Sequence, residues 1–345
     1  MIGEGSATAA HVGRRRYNPS VATWTPDLPR FPLLDGPSPL HRLPRFGAAL
    51  GGATEVWIKR EDLLPVAFGG NKLRNLEFLV GAALAEGADT LVTSGRRWSN
   101  HCRLTAAAGA KTGLSVHLVL SGPPVDPPGP NQRLDELLGA TVHVAATDER
   151  SDRAALATSV VAELRAAGHR PYLVGVGGSG VVGAVGQVLA GQELAQQAAA
   201  LGINPATLVL PTATGGTHAG LLAGLALAGL PARVVGVTVA APGAELRPVI
   251  ESLLGGLGAL AGWPIETAPI ELDDSERGAG YGRPTAAAGE ATRLLARTEG
   301  ILVDPIYTAK ALARVIRGAR DGDLSGPLVF WHAGGTPGIF EPLDP

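Results

Sequence analysis

The chain has 345 residues, 45% of them apolar and only 17% charged, a balance that excludes a disordered protein and supports a sizeable core. Single cores stop growing near ~250–300 residues, so two lobes are expected. A net charge of −2 excludes a global basic field for nucleic acid or an anionic membrane, and the single cysteine, Cys102, excludes an intrachain disulfide.

Residues 1–40 carry prolines at 19, 26, 29, 32, 37 and 39 and are expected to wrap over the body without a domain of their own. The basic run Arg14-Arg15-Arg16 lacks the apolar stretch of a twin-arginine signal, and no apolar stretch is long enough to span a bilayer, which points to a cytoplasmic chain. From Asn71 to Glu86 the spacing of Leu73, Leu76, Leu79, Val80, Ala83 and Leu84 predicts a helix closed by Gly87.

Strand Thr90–Thr93, an Ala-rich helix from Ser99 to Gly113 and strand Ser115–Leu120 come next. A Pro-rich loop over 123–130 leads to a helix near Gln132–Leu138, strand Thr141–Val144, a helix near Asp152–Ala167 and strand Pro171–Val174. Strand Thr207–Leu210 then enters a glycine turn and a helix from about Thr217, followed by strands Val234–Val239, Ile301–Val303 and Val329–Trp331. Val-rich strands alternating with helices predict a parallel α/β sheet covered on both faces.

Four segments could carry chemistry. Lys59-Arg60-Glu61-Asp62, by itself compatible with a solvated turn, precedes Gly69-Gly70-Asn71-Lys72. Two glycines before a helix let backbone approach a ligand, and a lysine in a helix's first turn sits against the dipole. Such a lysine is a candidate amine nucleophile, with a solvated helix-start lysine as the alternative. Ser99 and Asn100, with His101, follow a strand end where open α/β sheets bind ligands, and they also read as ordinary helix caps.

Thr214-Gly215-Gly216-Thr217 is a strand–glycine–helix turn suited to a phosphate, but it is neither a P-loop nor a dinucleotide fingerprint. A nicotinamide oxidoreductase is disfavoured on that ground. Tyr281, between two glycines, and Tyr307 are two of only four tyrosines and read as site hydroxyls or as core. His101 and Cys102 have no metal ligands at useful spacing, so no metal is expected.

Taken together, the ordered blocks Lys59-Arg60-Glu61-Asp62, Gly70-Asn71-Lys72, Ser99-Asn100-His101, Gly216-Thr217-His218-Ala219-Gly220 and Asp304-Pro305-Ile306-Tyr307 resemble the 1-aminocyclopropane-1-carboxylate deaminase / D-cysteine desulfhydrase family of pyridoxal-phosphate enzymes. The resemblance runs from Phe31 to Gly338. It implies fold type II, like the tryptophan synthase β subunit: two lobes, each a mostly parallel sheet flanked by helices, with the cofactor between them. The larger lobe is expected from 1–74 plus 182–345, the smaller from 75–181. Homodimerisation is also implied.

By resemblance Lys72 carries pyridoxal 5'-phosphate covalently and shuttles the proton. Asn71 and Asn100 lie beside the cofactor, and Thr214, Gly215, Gly216 and Thr217 cradle its phosphate. Thr308 faces the pyridine nitrogen. Ser99, Asn100, His101 and Trp98 border a small amino-acid substrate, with Ser99, Tyr281 and Tyr307 acting on it. A neutral Thr308, where the deaminase branch has a carboxylate, favours desulfhydrase-like β-elimination to a 2-oxo acid and ammonia over cyclopropane ring opening. A β-replacement enzyme of a biosynthetic pathway, a 1-aminocyclopropane-1-carboxylate deaminase and a non-catalytic cofactor-binding protein are the alternatives. Three residues depart from the family pattern: Trp98 in place of Gln, Asn75 in place of Lys, and Ala333 after His332.

Overall fold

The computed structural model describes residues 24–122 and 125–342. Arg14-Arg15-Arg16, most of the 1–40 segment and the start of the Pro-rich loop therefore lie outside the described residues. The first half contains β1 (Leu40–Arg42), α1 (Pro44–Ala49), β2 (Val56–Arg60), α2 (Lys72–Ala85), β3 (Thr90–Arg96), α3 (Asn100–Thr112), β4 (Ser115–Ser121), α4 (Pro130–Leu137), β5 (Thr141–Val144), α5 (Arg150–Ala166) and β6 (Pro171–Leu173). The second contains α6 (Val181–Ala200), β7 (Thr207–Thr212), α7 (Gly216–Leu227), β8 (Arg233–Thr238), α8 (Gly243–Ala261), β9 (Glu271–Asp273), α9 (Ala286–Glu299), α10 (Thr308–Asp321) and β10 (Leu328–His332).

The strands form two sheets. One has the order β1-β2-β10-β7-β8-β9 and the other β5-β4-β3-β6. Every pairing is parallel except β1 with β2. Parallel strands covered on both faces carry apolar side chains on both, as in β7, where Leu208, Val209 and Leu210 are all buried. Val209 packs with Ile58, Leu312 and Phe330 on one face, while Leu208 and Leu210 join Leu222, Val234 and Trp331 on the other.

Ile301–Val303 is not a strand, contrary to the sequence expectation. Ile301 and Val303 are buried and Leu302 is exposed, which is strand-like alternation, yet the segment joins no ladder. The Leu302 carbonyl is instead within hydrogen-bond distance of His332 Nε2, at 2.8 Å. Alternation reports which side is dry, not whether a neighbouring strand is present.

Small residues set the helix spacing around the site. A Cβ on Gly191 would lie 3.0 Å from Gly224 Cα, and one on Gly186 would lie 1.9 Å from the Arg74 carbonyl oxygen. Helix α6 therefore presses against α7 and against α2, the helix that begins with Lys72. Backbone this close to backbone has no room for even a methyl group.

Candidate active site

Strand C-terminal ends from both sheets open onto one cavity of about 650 Å3, within the usual range for small-molecule sites. Lys72, Asn71, Ser99, Asn100, His101, Thr214, Gly215, Thr217, Tyr281 and Tyr307 all line it. Three residues expected at the site do not: Gly216, Trp98 and Thr308.

Lys72 is the first residue of α2, reached through Gly69 and Gly70. The Gly70 N–H donates to the Glu61 carbonyl at 2.8 Å and the Asn71 N–H to the Ala333 carbonyl at 2.9 Å. Gly334 crosses directly over Gly70; a Cβ on Gly334 would lie 2.5 Å from Gly70 Cα. Asn71 does not cap its own helix. Its side chain donates to Thr217 Oγ1 at 2.9 Å, tying the lysine helix to the start of α7. Burial lowers the Lys72 ammonium to about 8, so about a tenth of it is free amine at pH 7, far more than for an ordinary lysine. In cofactor-free protein, the rate of pyridoxal phosphate attachment should rise about tenfold per pH unit up to about pH 8 and then level off. A flat profile in stopped-flow absorbance would show that the amine is not the titrating group.

The start of α7 is the element that could hold an anion. Gly215 adopts φ 80° before the helix, and the first amides of α7 lack intrahelical acceptors. Opposite stands the turn Val176-Gly177-Gly178-Ser179, where Ser179 Oγ lies 2.5 Å from Thr214 Oγ1. A Cβ on Gly177 would come 2.7 Å from Thr214 Oγ1, and one on Gly216 2.8 Å from Ser179 Oγ. The second wall was missed in the sequence, although the run Gly177-Gly178-Ser179-Gly180 carried the signal. Asn75 braces it: its Nδ2 donates to the Gly178 carbonyl at 3.1 Å.

On the other sheet, Ser99 caps α3, its Oγ accepting from the Cys102 N–H at 3.2 Å. Asn100 Oδ1 accepts from Arg103 at 3.1 Å. Thr93 Oγ1 spends its proton on the Val174 carbonyl at 2.9 Å, so it accepts from His101 Nε2 at 3.0 Å. That leaves His101 Nδ1 as a buried bare acceptor without a protein partner in the described residues. Burial lowers the His101 pKa to about 3, so the ring is neutral. Burial also pushes the Cys102 thiol up, which removes it as a nucleophile.

Tyr281 and Tyr307 meet hydroxyl to hydroxyl, their rings edge to face with centroids 5.7 Å apart. Burial raises both phenols, so both are neutral. Tyr307 is placed by Asp304, whose carboxylate accepts from the N–H groups of Ile306 at 3.0 Å, Tyr307 at 2.7 Å and Thr308 at 3.1 Å. The same carboxylate takes the Thr308 hydroxyl at 2.5 Å, which turns Thr308 into the helix start and away from the cavity. Lys310, one turn after Tyr307, was not foreseen. Fully buried, it donates to the carbonyls of Arg277 at 2.8 Å and Gly280 at 3.2 Å and so fixes the loop that carries Tyr281.

Trp98 backs this pair without bordering the cavity. Its ring lies 5.9 Å from Tyr281, and Gly282 lets the loop lie flat on the indole. Ser99, Asn100 and His101 of the expected substrate wall face the cavity, and Arg96, which the sequence reading did not single out, takes the inward place expected of Trp98.

The donor set fits pyridoxal phosphate: a buried amine of lowered basicity, a helix start with two glycine-lined walls for a phosphate, and an unpartnered buried ring nitrogen. Comparison with known proteins agrees. The profile of the pyridoxal-phosphate dependent enzyme family matches residues 32–334. D-cysteine desulfhydrases of Salmonella choleraesuis (strain SC-B67) and Salmonella paratyphi C (strain RKS4594) are each 42% identical over 322 residues, 90% of this chain and 95% of theirs. A crystal structure of an ACC deaminase homologue superposes with TM-score 0.85 at 34% identity, covering 91% of this chain and 94% of that one. The crystal structure of a T.th. threonine deaminase shares the fold, with TM-score 0.63 at 24% identity over 86% and 92% of the two chains. Among the described residues no helix is long and apolar enough to cross a membrane, and no group of three or more His, Cys, Asp or Glu could hold a metal. With the family profile matched over residues 32–334 and two mostly parallel sheets flanked by helices, the chain belongs to the pyridoxal-phosphate dependent enzymes of fold type II.

Proposed function

We propose that the enzyme eliminates the β substituent of a small amino acid to give a 2-oxo acid and ammonia, with D-cysteine the first substrate to test. The observation that supports this best is the shared cavity of Lys72 and the Tyr281–Tyr307 pair. The curated relatives named D-cysteine desulfhydrase add weight. Pyridoxal phosphate, when bound, supplies the electron withdrawal that acidifies the substrate's Cα–H.

In this reading the chain's residues divide the remaining work. Lys72 Nζ holds the cofactor, then takes the Cα proton once displaced. The α3 start, with Ser99, Asn100 and His101, holds the substrate carboxylate against free amides. Thr214 to Thr217 hold the phosphate. Between the two tyrosines one O–H is spent on the other oxygen, so one phenolic proton remains to be donated to a departing sulfur. Thr308 spends its hydroxyl on Asp304 and faces away from the cavity, so the choice of elimination over ring opening rests on the desulfhydrase relatives and not on residue 308.

Absorbance tests the reading. A visible cofactor band that shifts with D-cysteine, with sulfide and pyruvate released, supports it; a band that no small amino acid moves would overturn it. Tyr281→Phe should lower kcat about 10²-fold with a smaller change in KM, since it removes a proton donor and leaves the ring. Equal losses in both parameters would assign Tyr281 to binding instead. Added thiol should yield no new amino acid, which separates elimination from replacement. The same proposal includes lobes of 1–74 plus 182–345 and 75–181, and a cytoplasmic homodimer, which light scattering of the purified protein tests.

A further inference from the structure

The helix that begins at Arg150 starts with cations at its positive end, where the dipole disfavours them. Arg150 and Arg153 both line the cavity, and so does Arg96 from the end of β3. Asp148 aligns the group: it pairs with Arg96, and its backbone carbonyl accepts from Arg153 Nη1 at 3.1 Å. Ser121 Oγ accepts from the same Nη1 at 2.8 Å and donates to Asp148 Oδ1 at 3.1 Å. Arg153 is only 8% exposed, and its Nε is buried with no partner among the described residues. Arg96 lies with its guanidinium carbon 5.7 Å from the Tyr281 ring centre.

Among the cavity-lining residues of this wall three arginines stand against two carboxylates, Asp148 and Glu149, while Asp152 in the same first turn bonds Thr147 and does not line the cavity. Glu245, the other carboxylate on the cavity, comes from α8, whose Val249 and Ile250 pack on Gly215 at the phosphate cradle. The anions of the proposed function are already provided for. The phosphate belongs to the α7 start and the substrate carboxylate to the α3 start, on other elements.

We infer that Arg153 and Arg96 bind a second anion carried on the substrate's β carbon, so that the enzyme favours small amino acids bearing a tetrahedral oxyanion, a sulfonate or a phosphate ester. This rests on the elimination reading and narrows its substrate class. Arginine presents a fork of donors that matches tetrahedral oxyanions, and the aromatic faces of Trp98 and Tyr281 hold Arg96 in place. For a sulfonate, Lys72 takes the Cα proton, and the Cβ–S bond breaks with its electron pair leaving on sulfur as sulfite. One water then releases the 2-oxo acid and ammonium, so cysteate and water give pyruvate, ammonium and hydrogen sulfite. For a phosphate ester the Cβ–O bond breaks and phosphate leaves.

The test compares D-cysteine with both enantiomers of cysteate and of O-phosphoserine on the holoenzyme, assaying pyruvate together with sulfide, sulfite or phosphate. At least one oxyanion substrate should exceed D-cysteine in kcat/KM by about tenfold or more, and the arms separate sulfonate from phosphate. Arg153→Met should lower the ratio of that kcat/KM to the D-cysteine value by about 10- to 100-fold, and Arg153→Lys should restore part of it. Inorganic sulfate should raise the thermal midpoint of the native holoenzyme but not of Arg153→Met, a readout independent of turnover. Turnover of D-cysteine in preference to every oxyanion substrate, or an unchanged ratio in Arg153→Met, overturns this inference alone. Failure of all five compounds overturns it together with the elimination reading.

Discussion

Lys72→Ala is expected to abolish the visible cofactor band and to lower turnover by at least about 10³-fold, since it removes the amine proposed to hold the cofactor and move the proton. The substitution should leave the fold standing. Lys72 is the first residue of α2, alanine is the better helix former, and the burial that lowers the ammonium to about 8 already disfavours its charge. Unfolding in urea should therefore show a midpoint at or slightly above that of the parent, compared with both proteins free of cofactor. Retention of full turnover in the variant would refute the role given to Lys72. Loss of turnover together with loss of the folded baseline would refute the separation of the two.

The second large effect is expected at Arg74, which touches no substrate. Its guanidinium grips Glu61 through Nε at 2.6 Å and Nη2 at 2.8 Å, and meets Glu193 through Nη1 and Nη2 at 2.9 Å each. Lys59 completes the group, bonding Glu193, the Ser38 carbonyl at 2.7 Å and Gln197 at 2.7 Å. Two cations and two anions balance in a nearly dry site. Burial acts to raise the Glu193 pKa, but Arg74 and Lys59 outweigh it and hold the carboxyl below its ordinary range.

Arg74→Met leaves Glu61 buried without its partner, which costs about 3–5 kcal/mol. Because the Glu61 carbonyl also receives the Gly70 N–H just ahead of Lys72, cofactor affinity should fall along with stability. Arg74→Lys keeps the charge but not the two-pronged geometry and should land between the two. A urea midpoint unmoved in Arg74→Met would show that the network adds nothing to stability.

Much of this was legible in the chain itself, and the residues show why. Helix α2 announced itself by apolar spacing and β7–α7 by its glycine turn, because those signals are local. The charged run Lys59 to Asp62 reads as a solvated turn only while its partners are unknown. Glu193 and Gln197, on α6, are far away in sequence, and pairing at such range leaves no periodicity to detect. Thr308 illustrates a different limit. The family resemblance pointed to the position, but the direction of its hydroxyl is set by Asp304, four residues earlier, which also caps the helix. Trp98 sits behind the wall it was expected to form, since the chain turns Arg96 inward and Arg97 outward toward Glu341.

The close approach of α6 to α2 and α7 has a further consequence. With Gly186 against the Arg74 backbone and Gly191 against Gly224, the three helices move as one block, and that block carries both the amine and the phosphate turn. The two proposed anchors of the cofactor, Lys72 and the α7 start, thus sit on helices joined through α6, while α2 also buries Leu73, Leu76, Leu79 and Val80 against Leu91 and Leu118 of the sheet that carries Arg96. Substitutions at the α5 start, which packs on β3 and β4, can retune what the enzyme accepts while the helix contacts of the proposed anchors stay as they are.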